Sequence, residues 1–261
     1  MTTEPDPAVA ALAARLARAG FVAAAEEADE LAACAGGDPS LLATLVGRRL
    51  SGEPLAWITG SAAFGDLTVR VDPGVYVPRW QSLELARRAA ELLPEAGTAV
   101  DLCTGSGAIA AAVQTRTPSA RVVATDSDAR AVACARANGI EAYRGDLFDA
   151  LPPDLRGETD VVVAVVPYVP STELHLLPRD TLGFEDAAHY DGGPDGTRVL
   201  RRVITEAPRF LRTGGALLLE LGGAQADALR PVLHHQGYES VRTWSDGDGD
   251  LRGLAATLGR R

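Results

Sequence analysis

The stretch Asp101-Leu102-Cys103-Thr104-Gly105-Ser106-Gly107 constrains this chain more than any other. It reads as the end of an apolar strand, a glycine turn and the start of a helix. Glycines in such a turn let the backbone approach a ligand. The helix beyond presents unsatisfied N–H groups and the positive end of its dipole. A strand, turn and helix of this kind cradle an adenosine-bearing cofactor.

Two cofactors remain open on this motif. Gly105-x-Gly107-x-x-Ala110 fits the dinucleotide fingerprint, and Asp126, 19 residues after Gly107, stands where a ribose-binding carboxylate is expected. Asp101 favours S-adenosylmethionine over NAD, because the cationic methionine amino group needs a nearby anion and a pyrophosphate does not.

Around the motif runs a strand–helix rhythm. Apolar runs occupy 98–102, 121–125, 160–166 and 216–221, with a further short strand ending near Arg144. Amphipathic or Ala-rich segments lie at 82–93, 107–116, 129–138, 195–211 and 224–236. This predicts an α/β fold with a parallel sheet. Two more strands are expected at 239–244 and 252–258, around the turn Ser245–Asp250. Ahead of this, residues 6–50 are rich in Ala and Leu. The pairs Asp6-Pro7 and Asp38-Pro39 read as an N-cap followed by an N1 proline, so two or three short helices are expected. Trp57, Phe64, the alternating Leu67, Val69 and Val71, and the turn Asp72-Pro73-Gly74 predict a short hairpin. The expected organisation is a helical domain at 1–52, a β-hairpin linker at 53–77 and a cofactor domain at 78–261.

Composition narrows the function classes. With 261 residues and 46% hydrophobic content the chain can bury a substantial core. No apolar run approaches the roughly 20 residues that span a bilayer. The acidic start Met1–Asp6 lacks the basic end of a signal peptide, so a cytoplasmic location and no membrane partner are expected. A net charge of −10 argues against bulk nucleic-acid binding. All 25 basic residues are Arg, which together with the Ala and Gly content suggests a GC-rich bacterial genome. Cys34, Cys103 and Cys134 show no metal or disulfide spacing and are expected as small core residues. His175, His189, His234 and His235 are scattered without a ligand pattern. Asp246, Asp248 and Asp250 begin like a calcium loop, but Leu251 and Thr257 stand where Gly and Glu are required. No metal is expected.

Three further segments carry chemistry. Asp126 closes the second strand at the carboxyl edge, where open α/β sheets bind ligands. Asp146 stands at the next carboxyl edge, within reach of an adenine amino group. Val165-Val166-Pro167-Tyr168 follows the most apolar strand and brings an aromatic face to the same edge, suited to a planar acceptor.

In this order these pieces resemble the protein-(glutamine-N5) methyltransferases, which modify the Gly-Gly-Gln glutamine of peptide release factors or a ribosomal protein. The resemblance also rests on Glu53–Gly60, Val77-Pro78-Arg79, Asp191–Gly196 and Leu217–Gly222, and it spans nearly the whole chain. It implies a Rossmann-like class I methyltransferase sheet of seven strands, with the N-terminal helices recognising the substrate. It implies S-adenosyl-L-methionine as cofactor, held by Asp101, Thr104, Gly105 and Gly107, with Asp126 on the ribose and Asp146 and Leu147 near adenine. Val166, Pro167 and Tyr168 take the catalytic positions, and Arg79, Trp80 and Val165 face the acceptor.

One departure matters. The family's Asn-Pro-Pro-Tyr reads Val165-Val166-Pro167-Tyr168 here. The Asn side chain and the next carbonyl accept both N–H bonds of the target amide, whereas Val165 accepts none through its side chain. An unpaired N–H costs about 1–3 kcal/mol, roughly 5- to 150-fold in rate or binding. Trp80-Gln81-Ser82 also replaces a more acidic pattern. The expectation is therefore a methyltransferase of the glutamine-N5 type with an altered acceptor site, acting on a planar nitrogen of a protein or small molecule. The alternatives are a methyltransferase for a small specialised metabolite, a cofactor-binding protein without transferase activity, and an NAD oxidoreductase.

Overall fold

Both Asp-Pro pairs start helices in the computed structural model, which describes residues 6–177 and 183–260. Residues 1–5, the first part of the expected helical domain and most of its acidic start, lie outside the described residues. Asp6 accepts the Ala8 amide at the head of α1 (Pro7–Arg18), and Asp38 accepts the Ser40 and Leu41 amides at the head of α3 (Pro39–Leu50). Between them, α2 (Ala24–Ala35) ends at Gly36 in the left-handed region, φ +57°.

The three helices enclose their own apolar cluster, including Leu16, Ala28, Leu31, Leu45 and Val46. Arg49, only 5% exposed, is held from three sides. Its guanidinium donates to both Glu27 oxygens at 2.7 and 3.0 Å and to the Glu53 carbonyl at 2.9 Å, and it lies 4.1 Å from the Phe21 ring centroid. Cys34, expected in the core, is exposed on α2: the inward positions of that helix are taken by Ala24, Ala28, Leu31 and Ala35.

The segment 53–77 holds more than a hairpin. It opens with a short helix, α4 (Leu55–Thr59), ended by Gly60 at φ +80°. Only then do β1 (Ser61–Phe64) and β2 (Leu67–Arg70) pair antiparallel around Gly65-Asp66. Helix α4 belongs to two cores at once. Ile58 packs in the helical cluster, while Trp57 packs with the sheet and donates its indole N–H to the Val75 carbonyl at 2.8 Å. An aromatic and an aliphatic side chain on successive helical positions point to different faces, so this turn welds the helices to the rest.

Among the described residues, seven strands form the main sheet: β3 (Thr98–Leu102), β4 (Arg121–Asp126), β5 (Glu141–Arg144), β6 (Thr159–Ala164), β7 (Leu211–Glu220), β8 (Tyr238–Ser245) and β9 (Leu251–Leu258). Their order is β5-β4-β3-β6-β7-β9-β8, parallel through β7, with β9 antiparallel to both neighbours. Helices α5 (Ser82–Leu92), α6 (Ala108–Arg116) and α7 (Ala129–Ala137) cover one face; α8 (Arg198–Glu206) and α9 (Gln225–His235) cover the other. Strand alternation divides the two cores: Val161 and Val163 face one, Val162 and Ala164 the other. The helix expected over 195–211 is shorter and passes into a single 3-10 turn, Ala207–Arg209, because Pro208 cannot continue the ladder.

The order reverses between β3 and β6, which opens a crevice at their carboxyl ends. The glycine turn leaves β3 on one side of it, and Val165–Tyr168 leaves β6 on the other. No helix among the described residues is long and apolar enough to cross a membrane.

Arg49→Ala is expected to lower unfolding free energy by about 3 kcal/mol in urea titrations, because Glu27 is left mostly buried without its partner. Replacing both by Arg49→Met and Glu27→Leu should recover most of that loss.

Candidate active site

The glycine turn is built on a buried acid. Asp101 lies inside β3 and its Oδ2 accepts from the Thr104 hydroxyl at 2.6 Å and the Ala110 amide at 3.2 Å. Its Oδ1 is buried with no partner, and burial pushes the carboxyl pKa up to about 7. Asp101 therefore sits beneath the turn and does not line the cavity above it. The two glycines differ in purpose. Gly105, at φ +56°, lines the cavity and donates its N–H to Asp126 Oδ2 at 2.9 Å. Gly107, at φ +82°, packs α6 on α7: a Cβ there would stand 3.1 Å from the Ala135 Cβ. Cys103 also has positive φ, +55°, a strained value for a residue with a side chain, and it lines the cavity. Burial raises its thiol pKa, which favours the protonated sulfur.

The crevice holds a cavity of about 690 Å³. Asp126 forms part of its wall, with Oδ1 accepting the Asp128 amide at 2.9 Å. Each oxygen keeps a lone pair for a further donor, and burial raises its pKa. On the opposite wall lie Val165, Val166, Pro167 and Tyr168. Sheet pairing stops at Ala164, so the carbonyls of Val165 and Val166 lie beyond the ladder.

Beneath Tyr168 is a residue to which the sequence assigns no role. Glu220 accepts from the Tyr168 hydroxyl at 3.0 Å and from Ser82 Oγ at 2.6 Å, and it lines the same cavity. Burial raises its carboxyl pKa. An acid closing the run Leu217-Leu218-Leu219 at a carboxyl edge was the available signal.

At the mouth, Arg79 donates to Glu185 at 3.0 Å and to the Tyr190 hydroxyl at 2.9 Å, and stands 5.4 Å from the Tyr76 ring centroid. Tyr190 donates in turn to Glu185. Trp80 is 67% exposed on the rim. Of the scattered histidines, His189 lines the cavity, edge-on to Tyr76 at 6.3 Å. Asp146 turns away from it: its side chain is 57% exposed and bound at both oxygens by Arg202, at 3.1 and 3.0 Å. Leu147 is buried at φ +50° beside the same edge, its carbonyl accepting the Thr125 hydroxyl. The acidic turn at 246–250 is self-contained, with Asp246 accepting the Asp248 and Asp250 amides and Arg252. Among the described residues no cluster of His, Cys, Asp and Glu could hold a metal.

The family model of the methyltransferase small domain matches residues 66–163. The release factor glutamine methyltransferase of Mycolicibacterium smegmatis is 35% identical over 272 aligned residues, covering 96% of this chain and 96% of that protein. That of Geobacter sulfurreducens is 32% identical over 237, covering 88% and 80%. This chain belongs to the release factor glutamine methyltransferase family.

Membership makes the protein an S-adenosylmethionine-dependent methyltransferase and disposes of the NAD reading. Solved structures agree on the fold. A methyltransferase from Pyrococcus furiosus superposes with a TM-score of 0.55 at 18% identity, covering 82% of this chain and 98% of that one. The ribosomal protein L11 methylase of Lactobacillus delbrueckii subsp. bulgaricus gives 0.52 at 20%, covering 74% and 86%.

The residues present fit the family's cofactor. Asp101 carries an unpartnered buried oxygen beneath the glycine turn, a site that a cation above the turn stabilises. Asp126 offers free acceptor capacity on the cavity wall.

Asp101 also sets a pH dependence. Its folded pKa lies above the 3.8 of an exposed aspartate. The neutral carboxyl contributes its stability in full below 3.8 and has lost it by about pH 7, because between those values the unfolded chain has released a proton that the folded state still holds. Asp101→Asn keeps an oxygen for Thr104 and Ala110 but has no charge to bury. Its Tm relative to the parent should rise steadily from about pH 4 to about pH 8; a constant difference would contradict burial as the cause.

Proposed function

We propose that this protein transfers a methyl group to the side-chain amide nitrogen of a glutamine in a peptide release factor. The observation that carries this reading is one cavity with two unlike walls, the glycine turn with Asp126 on one side and the Val165–Tyr168 loop on the other, in a chain of this family. When bound, S-adenosylmethionine supplies an electrophilic methyl group on a sulfonium sulfur. Asp101, through the turn that it braces, and Gly105 would hold the methionine end, and Asp126 the ribose hydroxyls. Thr104 and Gly107 set the shape of the turn. Asp146 and Leu147 would face adenine, Asp146 once Arg202 releases its carboxylate.

Acceptor positioning follows from the other wall. The Val166 carbonyl takes one amide N–H and so orients the nitrogen, which is a weak nucleophile and depends on alignment. Pro167 holds the loop in an extended conformation. The Tyr168 ring packs on the planar amide and is itself fixed by Glu220. Val165 keeps water out. Arg79 and Trp80 stand where the acceptor enters.

The helical unit, residues 1–52, would recognise the protein substrate, with 53–77 joining it to the transferring domain at 78–261. The acidic charge speaks against bulk nucleic-acid binding, and a translation factor as substrate would put the enzyme in the cytoplasm.

Incubation with S-adenosylmethionine and a Gly-Gly-Gln release factor should give a mass increase of about 14 Da on that glutamine, one methylene. Cofactor binding without any transfer would favour a binding protein, and transfer only to small amides would favour a metabolite enzyme. Asp126→Ala should weaken S-adenosylhomocysteine binding about 10- to 100-fold in calorimetry, the loss expected for hydrogen bonds to a charged acceptor.

A further inference from the structure

We infer that Gln81 supplies the second amide acceptor of the site, doing from the head of α5 what position 165 cannot do. This inference rests on the functional reading above. Three observations carry it.

Gln81 lines the same cavity as Val165, Val166 and Tyr168. Its Oε1 is buried and has no hydrogen-bond partner. A buried amide oxygen without a donor costs free energy unless a ligand provides one; the Gln81 side chain lines the cavity, and rotation of its terminal amide brings that oxygen to a ligand N–H. The neighbouring bonds fix where that wall stands. Ser82, the next residue, donates to Glu220, and Glu220 receives the Tyr168 hydroxyl. Gln81 is thereby tied, through two hydrogen bonds, to the ring on which the acceptor packs.

A carboxamide nitrogen brings two N–H donors. The Val166 carbonyl satisfies one, and the Val165 isopropyl group satisfies none. An acceptor on a second element, at the head of α5, completes the pair and holds the amide plane from two sides. Of the other polar groups of this wall, the Glu220 oxygens each accept one bond, from Ser82 and Tyr168, and the Tyr168 carbonyl accepts the Gln225 amide at 2.7 Å; Gln81 Oε1 accepts none.

The test is a cycle of variants assayed on a Gly-Gly-Gln release factor by intact mass, with Tm recorded for each. Gln81→Met keeps the length and removes the acceptor, and it should lower kcat/KM about 10- to 100-fold. Gln81→Glu keeps an acceptor oxygen and should retain most of the rate. Val165→Asn restores an acceptor at the other position, and in the Gln81→Met background it should return most of the lost rate.

Binding gives an independent readout. With S-adenosylhomocysteine present, the parent should bind a Gly-Gly-Gln peptide about tenfold better than the same peptide carrying N5,N5-dimethylglutamine, which has no amide N–H, and Gln81→Met should narrow that preference. The inference is overturned if Gln81→Met transfers as well as the parent, if its loss is the same with Val165 and with Asn at that position, or if product forms only after Val165→Asn. Absence of product from every variant, the parent included, overturns the functional reading itself.

Discussion

Everything at this site depends on where two strands stop. β3 and β6 are neighbours in the sheet, yet the chain leaves them toward opposite halves, so their carboxyl ends face an open crevice. The loop after β3 becomes the glycine turn and the loop after β6 becomes the acceptor wall. Had β6 continued past Ala164, the carbonyls of Val165 and Val166 would be consumed by a neighbouring strand. Pro167 limits any such continuation, because it brings no N–H to a ladder.

The second common element is charge kept in reserve. Asp101, Asp126 and Glu220 are all largely buried around the crevice, and all are hydrogen-bonded by neutral groups: Thr104 and Ala110, Gly105 and Asp128, Ser82 and Tyr168. Burial raises the pKa of each. The buried Arg49 of the helical unit shows the contrary arrangement, with Glu27 supplying the full counter-charge. Glu27 is matched by an Arg, whereas Asp101, Asp126 and Glu220 are not. A sulfonium and an ammonium are cations, and acids without a cationic partner at or beneath the cavity wall favour them.

Much of this was legible in the sequence because it is local. Asp-Pro caps, a glycine turn after an apolar strand and an Asp closing the next strand all act within a few residues, and each stands where its pattern places it. Trp57 and Ile58 were harder: their adjacency resembles a strand, and only the packing of one against the sheet and of the other against the helices makes them a helical turn. Asp146 shows the same limit. Its place at the carboxyl edge follows from the strand before it, but the direction of its side chain follows from Arg202, 56 residues on.

By itself, then, the order of residues determined the strand–helix alternation and the ligand-binding edge, since these follow from periods of 2 and 3.6 and from chemistry carried inside single motifs, while the glycine turn left two cofactors open until the family resemblance chose between them. Tertiary structure decided the acceptor wall. Glu220 meets Ser82 across 138 residues and Arg79 meets Tyr190 across 111. Such pairings come from how helices are laid on the sheet, and no local period records them. The loss of an amide at position 165 is visible in the sequence; that Gln81 faces the same cavity is visible only once α5 is packed against the sheet.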